Sequence, residues 1–252
     1  MQLFLAATPA QLHTARRFTP YLAHVAYAVE GTGGLSCSGL SDRVRGGLLL
    51  LSDHAPGALD TRESLAEAVV NECARRNFGG VVADFERTIT PDRVAFLQLL
   101  CRALHASKRR LFVPERAGEA VDGAMVLLCT AISGGTLERR LRDAAARFGA
   151  DRLALDAQRV RMDFLLPSPS GEGYPIDKKT LAAILREHSP QIFFSEALCA
   201  RYFTYTQNGR THFLLFDDAQ TMRRKLEAAE KLGIATAFVM YPEVEDILPK
   251  LF

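Results

Sequence analysis

Tryptophan is absent from the 252 residues of this sequence, and cysteine is scarce. The five cysteines are scattered, with no CxxC pair and no Cys/His spacing typical of a zinc site. An odd, dispersed set of thiols argues against a disulfide framework and predicts buried free thiols in a reducing compartment. An excess of one charge is also missing, since 31 Lys and Arg face 29 Asp and Glu. This balance gives no indication of a nucleic-acid or membrane partner.

Long apolar runs are missing as well. No run approaches the roughly 20 residues that a membrane span needs. The apolar segment from Met1 to Ala7 lacks the basic residues with which a signal peptide begins, and Pro9 and His13 soon follow it. It therefore resembles a first strand rather than a signal peptide, and we expect a cytoplasmic protein.

The length and the order of patterns predict one architecture. Short apolar runs alternate with helical patterns from end to end, which is typical of β/α units around a parallel sheet. A (β/α)8 TIM barrel needs about 250 residues, so we predict one such domain over residues 1–252. The eight predicted strands are Gln2–Ala7, Ala23–Val29, Gly47–Leu51, Gly80–Phe85, Arg110–Val113, Ala124–Thr130, Arg152–Leu155 and Thr236–Met240.

One segment departs from this alternation. Between strands seven and eight, two strand-like runs (Phe193–Thr206 and Thr211–Asp217) flank Asn208 and Gly209. An Asn-Gly pair between such runs is a strong β-hairpin signal. We predict a small β-hairpin insertion at about residues 190–217, beside the barrel rather than as a second domain.

The fourth predicted strand ends in two carboxylates. In barrels of this kind the active site lies at the carboxyl ends of the strands. Asp84 and Glu86 are two residues apart, so in a strand they share one face, above Val82. Two partly desolvated carboxylates this close cannot both ionise cheaply, so one pKa is expected to rise. A carboxyl group that keeps its proton at neutral pH can serve as a general acid.

The other strand ends also carry side chains that could bind or react. Polar residues begin most loops, so most of these are expected to be solvated or to cap helices. They are Glu30, Asp53, His54, Glu115, Thr130, Asp156, Gln158, Tyr241 and Glu243.

Three stretches resemble one enzyme family. Asp84-Phe85-Glu86 resembles the end of the fourth-strand motif D-x-x-D-x-D-x-E of glycoside hydrolase family 18, with Glu86 at the position of the catalytic Glu. The run from Met162 to Pro167 resembles the yDW-x-LP run of the sporulation-type, cortex-lytic branch. The segment from Tyr205 to the last strand is similar to the family's closing pattern, written Y…G…h…ydD…K…G. The matching residues are Tyr205, Gly209, His212, Phe216-Asp217-Asp218, Lys225 and Gly233.

The resemblance implies a chitinase-like barrel that hydrolyses β-1,4 bonds after N-acetylglucosamine in peptidoglycan or chitin-like glycans. It implies no metal and no organic cofactor. Glu86 would protonate the leaving oxygen, the substrate's own acetamido group would attack, and Asp84 would orient that group. Carboxylate separation does not predict stereochemistry in this family. Substrate binding would involve Tyr27, Glu115, Thr130, Asp156, Gln158 and Tyr241. The branch suggests production in a spore-forming mother cell.

The departures from the family pattern leave alternatives open. Gly79 and Val82 stand where the motif has its first two Asp, and Tyr241 stands where the family has a Trp. The strand-six Tyr-Asp pair is replaced by Thr130 and Ala131. A second hypothesis is therefore a weak or inactive barrel that binds a glycan or a protein. A third assigns unrelated hydrolytic chemistry to Glu115, Asp156 and His54. The sequence leaves the oligomeric state open.

Overall fold

A computed structural model describes residues 1–30, 33–53, 62–168 and 171–252. In chain order the strands are β1 (Gln2–Ala7), β2 (Leu22–Val29), β3 (Leu35–Cys37), β4 (Leu48–Ser52), β5 (Gly80–Asp84), β6 (Arg110–Pro114), β7 (Met125–Cys129), β8 (Leu153–Asp156), β9 (Arg161–Leu166), β10 (Tyr174–Pro175), β11 (Phe193–Ser195), β12 (Ala200–Gln207), β13 (Arg210–Phe216) and β14 (Thr236–Met240). The helices are α1 (Leu12–Ala15), α2 (Arg62–Arg76), α3 (Pro91–Ala106), α4 (Leu137–Phe148), α5 (Lys178–His188), α6 (Ala219–Glu230), α7 (Tyr241–Val244) and α8 (Leu248–Leu251).

Within the described ranges, no helix is long and apolar enough to cross a membrane.

The parallel strands close into a barrel. Their order is β1-β14-β8-β7-β6-β5-β4-β2, and pairing of β1 with β2 completes the ring. These eight strands of the described chain are the eight predicted ones, each boundary within one residue. The (β/α)8 barrel predicted from the sequence is therefore confirmed. The short strand β3 adds to the outer edge of β2 in antiparallel fashion.

The barrel interior is filled by side chains. Alternate residues of each strand point inward and form an apolar plug, in which the Phe238 ring lies 5.2 Å from that of Phe4 and 5.0 Å from that of Phe112. Val82 belongs to this plug. The intervening residues pack outward against the helices. The barrel is thus closed below its carboxyl-terminal mouth.

Polar side chains fix where three of the outer helices begin. The hydroxyl oxygens of Thr90 and Thr136 accept the backbone N–H groups of Arg93 and Arg139, at 3.4 and 3.2 Å. Asp218 Oδ1 accepts the N–H of Thr221 at 2.9 Å at the start of α6. Such caps satisfy backbone donors that have no partner within the helix. These helices therefore begin directly after the loops at the barrel mouth.

The insertion is larger than the sequence predicted. An antiparallel sheet with the order β10-β9-β13-β12-β11 begins at Arg161, and α5 covers one of its faces. The expected hairpin is β12–β13, whose turn places Asn208 and Gly209 at φ values of 52° and 72°. The boundary of about 190–217 includes only β11–β13. The missed strand β9 follows β8 after four residues, and β10 has only two residues, so neither forms a separate pattern.

Asp217 joins the insertion to the barrel. Its side chain is fully buried, and Oδ2 accepts the Lys225 Nζ at 2.6 Å and the backbone N–H of Val160 at 2.8 Å. Oδ1 accepts the hydroxyl of Thr221 at 2.7 Å. One carboxylate therefore connects the start of β9, the end of β13 and helix α6.

We expect Gly80→Ala to destabilise the barrel, because a Cβ at this position would lie 2.2 Å from the backbone oxygen of Arg110 on β6. Forcing extra atoms into a packed site typically costs about 1–3 kcal/mol. The matched control is Gly79→Ala, whose Cβ would meet its nearest atom at 3.8 Å. Urea unfolding of both variants measures the difference. Equal stability of the two variants would contradict the close approach of β5 to β6.

Candidate active site

A cleft opens at the carboxyl ends of the barrel strands. It comprises a deep cavity of about 210 Å³ over the apolar plug and a neighbouring cavity of about 510 Å³ that extends outward. Both cavities are lined by Asp84, Glu86, Asp156 and Gln158. The cleft therefore has a polar wall above an apolar floor.

Asp84 and Glu86 lie where the strand pattern predicted. Asp84 is the last residue of β5, and Glu86 follows two residues later. Below them Val82 lies in the interior plug, whereas Ala83 and Phe85 pack in the outer layer. The alternation of the strand thus continues to Glu86 and brings both carboxylates to one cleft.

Asp53 holds the backbone of Glu86 from one side. Asp53 follows β4, is 4% exposed, and its Oδ1 accepts the Glu86 N–H at 3.0 Å. The Oδ2 of the same carboxylate lies 3.1 Å from Arg93 Nε on α3. This buried ion pair places an acceptor at the point where β5 ends.

Arg116 holds the same loop from the other side. Its Nη2 donates to the carbonyl oxygen of Phe85 and, at 2.9 Å, to that of Arg87. The two residues that flank Glu86 are therefore bound to one guanidinium group. Glu86 itself is exposed, but its backbone is fixed on both sides.

Three other predicted residues, Asp156, Gln158 and Glu115, line the cleft. Gln158 Nε2 donates to Asp156 Oδ2 at 2.7 Å. Burial is the main cause that raises the pKa of Asp156 to about 6, and the nearby carboxylates of Asp84 and Glu243 raise it further. Glu115 Oε2 accepts Arg140 Nη2 at 2.7 Å at the outer end of the cleft.

Tyr27, Thr130 and Tyr241 do not lie in the cleft, in contrast to the prediction. Tyr27 is 3% exposed and its hydroxyl donates to Glu72 on α2 at 2.8 Å. An irregularity in the pairing of β2 between Val25 and Tyr27 turns this side chain outward. Thr130 and Tyr241 are buried, each one residue after a strand whose last side chain faces the cleft.

Two residues that sequence reasoning did not name, and one that it named only as a strand-end candidate, complete the wall. Cys129 and Met240 occupy the inward positions beside Thr130 and Tyr241 and line the cleft. Glu243 lines the deep cavity, and its Oε2 accepts the Arg159 N–H at 3.3 Å. The strand period could have identified Cys129 and Met240 once the strand ends were known. His54 lies outside the described residues.

The arrangement is suited to acid–base chemistry. Carboxyl groups of one cleft that differ in pKa can act as proton donor and as charge stabiliser. In the described ranges, no cluster of three or more His, Cys, Asp or Glu side chains could hold a metal ion. The carboxyl groups that line the deep cavity are those of Asp84, Glu86, Asp156 and Glu243.

Comparison with solved structures identifies the architecture. No protein-family model and no curated protein sequence matches the chain. The spore cortex-lytic enzyme SleL from Bacillus megaterium aligns with a TM-score of 0.69 at 17% identity, over 100% of this chain and 74% of that chain. A chitinase from Chromobacterium violaceum aligns with a TM-score of 0.71 at 17% identity, over 98% and 97% of the two chains. A class V chitinase from Nicotiana tobaccum, solved as a complex with an N-acetylglucosamine oligosaccharide, has a TM-score of 0.71 at 11% identity, over 98% of each chain.

These likenesses define the class of barrel. The chain has the (β/α)8 fold of chitinases and spore cortex-lytic enzymes. This confirms the fold that the family resemblance implied.

Proposed function

We propose that the protein is a glycoside hydrolase that cleaves β-1,4 bonds after N-acetylglucosamine in peptidoglycan or chitin-like glycans. One observation carries the proposal: Asp84 and Glu86 share the wall of the cleft at the carboxyl end of β5, above an apolar floor. The fold shared with chitinases and cortex-lytic enzymes supports it.

In the proposed reaction, Glu86 donates its proton to the glycosidic oxygen as that oxygen leaves the anomeric carbon. The carbonyl oxygen of the substrate's acetamido group attacks the same carbon and forms a cyclic intermediate. Asp84 accepts a hydrogen bond from the acetamido N–H and stabilises the positive charge that develops there. Water then opens the intermediate, with Glu86 taking its proton, and Glu86 is restored to its starting state.

The environment of the two carboxylates favours this chemistry. The deep cavity is floored by Ala6, Leu50, Val82 and Phe238, which bring little polarity near Asp84. Electrostatic interactions are stronger in such surroundings than in water. The fixed backbone around Glu86 keeps the acid at one place, which is how orientation lowers a barrier.

The test is hydrolysis of a fluorogenic chitobioside and of purified cortex peptidoglycan. The proposal expects release of the fluorophore or of reducing ends from at least one of them. If the folded protein releases neither, the proposed hydrolysis is wrong.

A second candidate function is a barrel that binds a glycan with little or no turnover. The observation in its favour is that the inward positions near Asp84 carry Val82, Cys129 and Met240, which are poor hydrogen-bond donors. Loss of one oriented donor typically costs about 10²–10³ in rate. Under this hypothesis an N-acetylglucosamine oligosaccharide raises the melting temperature without being cleaved.

We expect Asp53→Ala to lower kcat by about 10² with a small change in KM, because a misplaced acid loses orientation rather than substrate affinity. Asp53 contacts the Glu86 backbone and Arg93. The control is Asp122→Asn, which removes one surface charge from an exposed residue. Steady-state kinetics on the chitobioside, with circular dichroism to check the fold, measure the effect. A folded Asp53→Ala variant with the parent kcat would show that this contact does not position Glu86.

A further inference from the structure

Asp156 lies at the bottom of the cleft on β8, three strands around the barrel from β5, which leads to the proposed acid. It ends β8 and pairs in register with Cys129 on β7 and with Phe238 on β14. Phe238 and Ala154, two residues before Asp156 on β8, both belong to the apolar plug, so the Asp156 carboxyl lies at the top of that plug. The residues paired with Asp156 on the two neighbouring strands, Cys129 and Phe238, carry no positive charge.

Gln158 fixes the orientation of this carboxyl. Its Nε2 binds Oδ2 of Asp156 at 2.7 Å. One oxygen of this carboxyl is thus held by Gln158, and the Asp156 side chain lines both cavities of the cleft.

The groups that face Asp156 are mostly acidic. The deep cavity has no Lys or Arg in the described part of its lining, whereas the outer cavity has Arg116 and Arg147. Two carboxylates over an apolar floor repel each other, so a proton retained by one of them stabilises both. Burial raises the pKa of Asp156, the hydrogen bond from Gln158 opposes this rise, and the charges of Asp84 and Glu243 add to it. The titratable and charged groups of the two cavities are Asp84, Glu86, Glu115, Arg116, Cys129, Arg147, Asp156 and Glu243.

We propose that Asp156 and Asp84 form a coupled carboxyl pair that carries one proton, held by Asp156, and that the neutral Asp156 donates a hydrogen bond to the N-acetyl group of a sugar in the deep cavity. The identity of the ligand rests on the proposed function, whereas the pair itself does not. Asp156 thus supplies a hydrogen-bond donor at the end of β8. The inward residue at the end of the neighbouring strand β7 is Cys129, whose thiol is only a weak donor.

The pair is tested without any glycan. Carbon NMR of the Asp156 carboxyl, assigned with Asp156→Asn, gives its titration midpoint in the parent and in Asp84→Asn. We expect the midpoint to move to lower pH in Asp84→Asn, because one neighbouring negative charge is gone. Asp122→Asn, the surface control, leaves the midpoint unchanged. A parent midpoint near that of an ordinary aspartate, or an equal midpoint in Asp84→Asn, overturns the pair.

The donor role is tested by binding of the N-acetylglucosamine tetramer to Glu86→Gln, which keeps the cleft but lacks the acid. Between pH 5 and pH 7.5 Asp156 loses its proton, so the dissociation constant is expected to rise on the order of tenfold. In the double variant Glu86→Gln/Asp156→Asn, residue 156 has no proton to lose in this range. The dissociation constant of this variant is expected to be the same at pH 5 and pH 7.5. Equal binding by Glu86→Gln at both values overturns the donor role. Absence of binding by every variant contradicts the proposed function, while the NMR titration decides the pair.

Discussion

Glu86→Gln is expected to lower kcat/KM for the chitobioside by about 10²–10⁴, the usual contribution of a positioned proton donor. The amide of Gln fills the same space but has no acidic proton to give to the leaving oxygen. Because the Glu86 side chain is exposed, and its contact to Asp53 runs through the backbone N–H, the fold is expected to remain intact. Fluorescence release measures activity, and the melting temperature measures the fold.

The matched control is Glu245→Gln, a substitution of the same chemistry at an exposed residue beyond strand β14. It is expected to retain the parent rate. If Glu86→Gln hydrolyses the substrate as fast as Glu245→Gln, Glu86 is not the acid and the site must be assigned elsewhere in the cleft. A parallel loss in both variants indicates an effect of net charge instead.

The barrel could be predicted from the sequence because its signals are local. Each of its strands is a short apolar run bounded by turn residues, and the helices between them enforce parallel pairing. The positions of Asp84 and Glu86 follow from the same local rule, since two residues of spacing keep both on one face.

Side chains near the strand ends could not be assigned reliably, because a shift of one residue moves a side chain to the other face of the sheet. Thr130 and Tyr241 are one residue beyond the inward Cys129 and Met240. Tyr27 turns outward because of an irregularity in β2 that no residue pattern marks. The contacts that fix Glu86 were also hidden, because they join residues far apart in the chain. Asp53 precedes Glu86 by 33 positions, and Arg116 follows Phe85 by 31 positions.

Asp217→Ala is expected to lower the free energy of unfolding by about 3–5 kcal/mol, the usual effect of leaving one member of a buried ion pair unpartnered. Lys225, 1% exposed, would keep its charge without a counterion, and the Val160 N–H and Thr221 hydroxyl would lose an acceptor. Because Val160 lies where the chain leaves the barrel for the insertion, the Val160 amide should also exchange its hydrogen faster. Urea unfolding and hydrogen exchange measure the two effects.

Removing both charges separates the ion pair from simple packing. In Asp217→Asn/Lys225→Met the amide oxygen can still accept the Val160 N–H, and no unpaired charge stays buried, so most of the lost stability is expected to return. Lys231→Met, at an exposed position of the same helical region, serves as the surface control. If Asp217→Ala unfolds within about 1 kcal/mol of the parent, a change ordinary for a surface site, the carboxylate does not anchor the insertion. A double variant as unstable as the single one would show that the unpaired charge of Lys225 is not the source of the loss.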